Sequence, residues 1–359
     1  MQKQAAFCAQ FGLKHPVVQG PFGGGYSTVA LAAAVSNAGG LGSFGAVNLS
    51  PDEITATVAA LRANTRHPFA VNLWVPIAGH EDRVVHEDAW ARALSVVAPR
   101  YRARGLEPPT RPAQWAHPFE AQVEALLAAA PPVLSVVMGV PPAEVIAAAH
   151  RRNIQVIATA TTAHEAEALD AAGVDAIVAS GSDAGGHRGA FLRDAEDSLV
   201  GTFSLVPQVV DAVKAPVIAA GGITDGRGLV AAFALGASAA QVGTAFLASH
   251  ESGAPEVHKA MLGTRAARDT ALTRVFSGRL ARGIVNDAMR AFSPAADALL
   301  PYPMHNAMMA ALRRDAARHN RADDLALWAG QAAPLAARRS AAEVLAALLS
   351  QAEEARKSL

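Results

Sequence analysis

Short apolar, β-branched runs recur along the chain. Each is followed by a glycine-containing break and then by an Ala/Leu-rich stretch with helical spacing. The runs fall at 16–20, 40–47, 69–75, 132–139, 154–161, 175–181, 215–223 and 239–247. Helical segments lie between them at 27–38, 51–64, 118–130, 142–152, 163–172, 203–213 and 225–235. The runs are continuously apolar rather than alternating, which marks strands buried on both faces of a parallel sheet. Eight strands alternating with helices over about 235 residues match the span of a (β/α)8 TIM barrel. An open doubly wound sheet is the competing reading. It calls for a G-x-G-x-x-G turn after the first strand, and "GPFGGG" at 20–25 lacks that spacing.

Two segments break the rhythm. Residues 77–117, after the third strand, are too long for an ordinary βα loop and read as a helical insertion on the top face. Residues 251–334 lose the strand pattern and read as a smaller α-helical domain or lid over substrate. The domain reading is therefore a barrel over 1–250, the smaller domain over 251–334 and a C-terminal segment, 335–359, packing on the barrel. In that last segment Ser340 and Glu343 stand at capping-box spacing ahead of an amphipathic run.

Composition narrows the class. Of 359 residues, 51% are hydrophobic and 17% charged, and the formal net charge is zero. That supports a large core and offers no basic stripe for nucleic acid. No apolar run is long enough to span a membrane, and the N-terminus has no signal-peptide core. Cys8 is the single cysteine, which fits a reducing, cytoplasmic location and rules out an intrachain disulfide or a cysteine-based zinc site.

In a barrel of this type the chemistry sits at the C-terminal strand ends. Those ends carry Pro21, Phe22 and Gly23; Asn72; Thr159 and Thr161; the loop "SGSDAGGHRG" from Ser180 to Gly189; Gly221 and Gly222; and Gln241, Val242, Gly243 and Thr244. The glycine pairs after the seventh and eighth strands suit a phosphate held on backbone N–H groups. Of the five lysines (Lys3, Lys14, Lys214, Lys259, Lys357) none falls at a strand top, which disfavours Schiff-base and pyridoxal chemistry. No top-face carboxylate pair or metal cluster stands out. His80 and His86, which sit among acids in the insertion, read as a solvated helix and not as a metal site. A phosphate site, amide side chains and one loop histidine, His187, suit flavin mononucleotide (FMN), whose ring carries its own redox chemistry.

At these residues the sequence resembles the nitronate monooxygenase family. The matching stretches are "HPVVQGPFGGG" (15–25), "VNLWVP" (71–76), "GSDAGGHRG" (181–189), "VIAAGGITDGRGLVAAFALGA" (217–237), "QVGTAFLAS" (241–249), "FSGRLARGIVN" (276–286) and "LWAGQAAPLAA" (327–337). The resemblance implies FMN contacts from Asn72, Ser180, Gly185, Gly186, Gly221, Gly222 and Gln241 to Thr244. Pro21, Phe22 and Gly23 lie near the flavin ring, and Gln331 approaches from the smaller domain. His187 is the implied catalytic residue, an imidazole of near-neutral pKa able to take a proton from carbon. The implied reaction oxidises alkyl nitronates, and by extension nitroalkanes, with O2 to carbonyl compounds and nitrite. Ser180, Asp183 and Phe22 stand where the family commonly has Gln, Glu and Met. A flavin-dependent NAD(P)H:quinone or enoyl-thioester reductase on the same scaffold stays open as an alternative, as does a flavin-binding protein without turnover. A homodimer is also open, because nothing in the sequence sets the oligomeric state.

Overall fold

The computed structural model describes residues 2–76, 86–112 and 114–358. Eleven strands occur among them: β1 (Val17–Gln19), β2 (Gly42–Gly45), β3 (Phe69–Trp74), β4 (Val133–Val137), β5 (Gln155–Ala160), β6 (Ala176–Ser180), β7 (Gly186–His187), β8 (Val217–Ala220), β9 (Ala239–Val242), β10 (Thr270–Thr273) and β11 (Ala281–Ile284). Eight form one parallel sheet in the order β1-β9-β8-β6-β5-β4-β3-β2. A parallel bridge between Val18 and Leu41 closes the ring. Gln19 reinforces that seam: its amide donates to the Ser43 carbonyl at 2.8 Å and accepts from the Ser43 N–H at 2.9 Å. The chain is a closed (β/α)8 barrel.

Alternation along each strand sorts its apolar residues into two cores. Val17, Val156, Ala158 and Ile177 face outward into the layer shared with the surrounding helices. Val18, Ile157, Val178 and Ile218 face into the barrel. The N-terminal helix Gln2–Phe11 sends Phe7 and Phe11, ring centroids 4.6 Å apart, into this inner core. Their neighbours include Val133 and Ala176, the first residues of β4 and β6, so the helix plugs the bottom of the barrel. Only the opposite end is free to hold a ligand.

The C-terminal helix Ala341–Lys357 starts in the expected capping box of Ser340 and Glu343. It lies so close to the helix Gly226–Ala234 that a Cβ on Gly226 would stand 2.1 Å from the Ala352 nitrogen.

The second lobe is mostly short helices, and it also holds a small antiparallel sheet, β10-β11-β7. The repeating pattern of apolar runs does not announce this sheet. Each of β10 and β11 spans four residues, too few for a clear alternation, and Arg282 and Gly283 interrupt the apolar character of β11. The third strand, β7, comes from the loop after β6 and is two residues long. The lobe also takes in part of the 77–117 segment. Its helix Glu87–Ala103 contributes Trp90, Ala93, Val97 and Tyr101 to one core with Phe276, Met289, Phe292 and Met308. The Tyr101 hydroxyl donates to the Met308 carbonyl at 2.6 Å. Arg100 and Arg104 both meet the buried Asp324 carboxylate. His80 lies outside the described residues, and His86 precedes the first turn of this helix as an exposed residue. Among the described residues no helix is long and apolar enough to cross a membrane, and no group of three or more His, Cys, Asp or Glu could hold a metal ion.

Candidate active site

A cavity opens at the C-terminal strand ends, between the barrel and the second lobe. Its walls contain Pro21, Phe22, Gly23, Asn72, Ser180, Gly185, Gly186, His187, Gly221, Gly222, Gln241, Gly243 and Thr244. Two residues expected there stand apart. Val242 is fully buried in the barrel wall, where its carbonyl accepts from the Gly20 N–H at 2.9 Å. Gln331 is exposed, and its N–H donates to the Asp183 carbonyl at 2.9 Å. The side chain of Gln331 lines no wall of the cavity.

The loop after β6 is built to hold its shape. Glu165, fully buried, accepts from the Thr161 N–H and hydroxyl, each at 2.7 Å, and from the Phe191 N–H at 2.6 Å. Arg188, also buried, donates to the Gly181 and Ser180 carbonyls at 2.6 and 2.7 Å. Asp183 accepts from the Thr202 N–H at 2.6 Å. Burial pulls the Asp183 pKa up, but the Thr202 hydrogen bonds and the Arg282 charge outweigh it and hold the carboxyl below its ordinary value. The second lobe packs directly on this loop. A Cβ on Gly185 would stand 2.5 Å from the Ala329 carbonyl carbon and the Gly330 nitrogen, so only glycine allows the approach.

His187 ends up on β7, paired with Ala281 of β11. The second lobe therefore fixes the backbone of a residue supplied by the barrel. Three aromatic rings surround the imidazole: Trp74 at 5.1 Å, Trp328 at 5.3 Å and Tyr302 at 6.0 Å between centroids. Its Nε2 lies 2.9 Å from the Ser277 hydroxyl oxygen. Burial, with help from the Arg279 and Arg313 charges, lowers the His187 pKa to about 3. The near-neutral value expected from sequence is corrected here: the surrounding rings desolvate much of the imidazole, which keeps one part open to the cavity, and both nearby charges are positive. Arg279 is bonded to the Arg188 and Ala190 carbonyls and Arg313 to the Phe276 carbonyl and Asn306, neutral acceptors throughout. Their positive field reaches the site with no carboxylate set directly against it in these bonds. Burial likewise pushes the Tyr302 hydroxyl up to about 12, so it stays protonated.

On the opposite side of the cavity the glycines leave room. Gly222 has a φ of 72°, and a Cβ there would meet only Asp183, at 3.7 Å. A Cβ on Gly243 would find nothing nearer than Phe22 at 3.9 Å. Among the described residues no group of the chain accepts a hydrogen bond from either amide. Gly243 also precedes the first turn of the helix Thr244–Leu247, where N–H groups point outward.

Sequence reasoning missed the cage. Trp74 and Trp328 lie inside the stretches "VNLWVP" and "LWAGQ", next to residues it selected, and Ser277 and Arg279 lie in "FSGRLARG". Tyr302, in "PYPMHN", carried no signal beyond a break in a helix.

A family profile described as nitronate monooxygenase matches residues 5–351. A protein of Staphylococcus saprophyticus named "Probable nitronate monooxygenase" is 40% identical over 346 residues, 95% of this chain and 96% of that one. Among solved structures, nitroalkane oxidase from Streptomyces ansochromogenes superposes with a TM-score of 0.89 at 39% identity, covering 98% of this chain and 99% of that one. FabK from Thermotoga maritima superposes with a TM-score of 0.76 at 29% identity, over 98% and 97% of the two chains.

Proposed function

The chain belongs to the nitronate monooxygenase family, and we propose that it oxidises alkyl nitronates with O2, using FMN held at the top of the barrel. The reaction class, oxidation of nitronates and nitroalkanes, follows from the family and from the likeness to a nitroalkane oxidase. One observation carries the finer reading: a glycine-lined cavity with free amides faces a single imidazole that is kept neutral in an aromatic cage.

The residues fit the cofactor. Gly222 and Gly243 present backbone donors where side chains would otherwise fill the space, as a phosphate requires. Pro21 to Gly23, Asn72 and Gln241 complete the walls of the cavity. FMN, when bound, supplies the electron acceptor and the oxygen chemistry.

The chain's own groups do the rest. Arg279 and Arg313 make the site electropositive, which favours an anionic nitronate over a neutral nitroalkane. Trp74, Tyr302 and Trp328 pack around the imidazole and limit its contact with water to the cavity side. His187 orients the substrate and holds an unshared pair at one ring nitrogen. An imidazole with a pKa of about 3 is a weak base toward carbon, so proton abstraction from a nitroalkane is the slow route. The preferred substrate is the nitronate already formed.

The test is anaerobic mixing of the flavin-loaded protein with a nitronate, with the parent nitroalkane and with NADH, followed by flavin absorbance. Fast bleaching by nitronate, slow bleaching by nitroalkane, and nitrite on admitting air are expected. Bleaching by NADH alone would move the reading to a reductase.

A further inference from the structure

Tyr26 also lines the glycine-lined cavity, and the turn that carries it is held from both lobes. Gly24 and Gly25, with φ of 67° and 85°, bend the chain after Phe22. On the barrel side the Phe22 N–H donates to the Ser27 hydroxyl at 2.9 Å, which donates to the Ser43 carbonyl at 3.2 Å. On the other side the Gly253 N–H donates to the Tyr26 carbonyl at 3.0 Å, and a Cβ on Gly253 would stand 2.1 Å from the Gly25 oxygen. The ring packs on the apolar cluster that holds Leu247 and Leu262, and meets the His258 ring edge-on with centroids 5.7 Å apart. His258 Nε2 lies 3.1 Å from the Trp328 carbonyl, and the Trp328 ring is one of the three around His187. Contacts through His258 and Trp328 thus connect Tyr26 to His187.

Among the described residues the Tyr26 hydroxyl has no hydrogen-bond partner. Burial holds its pKa above the ordinary value, the Arg313 charge pulling less strongly the other way, so it stays protonated and able to donate. The same Arg313 charge acts on His187. An anion taken into such a cavity binds well only where donors meet its oxygens. His187 directs its one ring proton at the Ser277 hydroxyl, 2.9 Å away, which itself donates to the Arg279 carbonyl. Arg279 and Arg313 aim their N–H groups at carbonyl oxygens, and among the described residues no lysine or arginine lines the cavity. The Asn72 amide donates to Ser135. Tyr302, whose hydroxyl also lacks a partner among the described residues, lines the adjoining cavity and not this one.

We propose that Tyr26 is a substrate-binding residue, its hydroxyl donating a hydrogen bond to one oxygen of the bound nitronate. The inference rests on the nitronate reading and adds to it a side chain outside the strand ends and the loop after β6. Arg279 and Arg313 draw the anion in by their field, and Tyr26 supplies a directed contact that fixes how it lies.

Tyr26→Phe removes the hydroxyl and keeps the ring. Two constants are measured on the holoenzyme: KM for a nitronate, and Kd for nitrate, a planar unreactive anion, from the change it makes in the flavin absorbance. Both are expected to rise about tenfold or more in the variant, the usual effect of losing a hydrogen bond to a charged group. The kcat is expected to change less than about twofold, because the contact is made equally before and during the reaction. FMN affinity, from fluorescence titration of the apoprotein, and melting temperature are expected to stay at their wild-type values. Unchanged KM and unchanged nitrate affinity would overturn the proposal. A comparable loss of FMN affinity would assign the hydroxyl to the cofactor and overturn it as well. If neither protein oxidises a nitronate while nitrate still binds more weakly to the variant, the anion contact stands and the nitronate reading falls.

Discussion

The Ser277 hydroxyl joins the His187 imidazole to the Arg279 backbone through two hydrogen bonds. Its oxygen lies 2.9 Å from His187 Nε2 and donates its own hydrogen to the Arg279 carbonyl at 3.1 Å. A carbonyl can only accept, so toward the imidazole the serine oxygen accepts and Nε2 carries the ring proton. Nδ1 is left with its lone pair and no partner among the described residues. Ser277 is therefore a positioning residue that sets which nitrogen of His187 can meet a substrate.

Ser277→Ala removes the acceptor and frees the imidazole to take either tautomer. Turnover of nitronate is expected to fall about fivefold, with KM changing little, because one buried hydrogen bond is worth about 1 kcal/mol. Ser277→Thr keeps the hydroxyl and restores most of the rate. Nitrogen-15 NMR of the labelled imidazole gives a readout that lost packing would not move. A single Nε2–H tautomer is expected in the wild-type protein and a mixture in the alanine variant; a mixture in both would show that Ser277 does not set it.

His187→Gln separates the two substrate forms. Proton abstraction from a neutral nitroalkane needs the base, and its loss costs on the order of a hundredfold or more in kcat/KM. A nitronate needs only orientation, so its loss is smaller. With the folded-state pKa at about 3, the imidazole stays neutral throughout the usual assay range. The kcat/KM profile for a nitronate should then show no histidine inflection between about pH 5 and about pH 8. An inflection there that vanishes in His187→Gln would contradict the neutral assignment.

Gly243→Ala tests the cofactor cradle without disturbing the fold. The φ of −99° lies outside the left-handed region, and the added methyl would meet protein only at 3.9 Å. The melting temperature of the apoprotein is expected to stay near wild type while FMN affinity drops at least tenfold, or about 1.4 kcal/mol. Fluorescence titration of the apoprotein with FMN measures it. Unchanged affinity would place the phosphate elsewhere.

Much of this was legible from residue pattern alone. Continuous apolar runs such as "IQVIATAT" marked strands covered on both faces, and the breaks after them located the site end of the barrel. The glycines at 221–222 and 243, singled out from their places after apolar runs, do fall in the cavity wall. The environment of His187 was not legible. Its cage joins β3 to residues 302 and 328, and its pKa depends on Arg279 and Arg313, more than ninety positions downstream. Such an environment comes from burial and charge at a distance, which local spacing does not encode. Gln331 adjoins Gly330 in the cavity wall, yet it is exposed and does not itself line the cavity.

Two further histidines make the fold sensitive to mild acid. His258 and His305 are fully buried, and each sets Nε2 against a backbone carbonyl, of Trp328 at 3.1 Å and of Val275 at 2.9 Å. The Nδ1 atom of each has no partner. Burial lowers both pKa values to about 4, the carbonyl contacts offsetting it only in part. An imidazole in the unfolded chain titrates near 6.5, so between these values the unfolded state binds more protons than the folded one. Stability is full above about pH 6.5 and falls as the pH drops toward 4, by on the order of 2 kcal/mol for each histidine at about pH 5. Carboxylates with lowered values, such as Asp183, act below this window and do not mimic it. Replacing His258 and His305 by Gln keeps an N–H donor and removes the titration. Chemical denaturation at about pH 7 and about pH 5 should show a marked loss for the wild-type protein and a smaller one for the double variant. Equal losses would mean that the acid sensitivity arises elsewhere, with His187 and its value of about 3 the next group to replace.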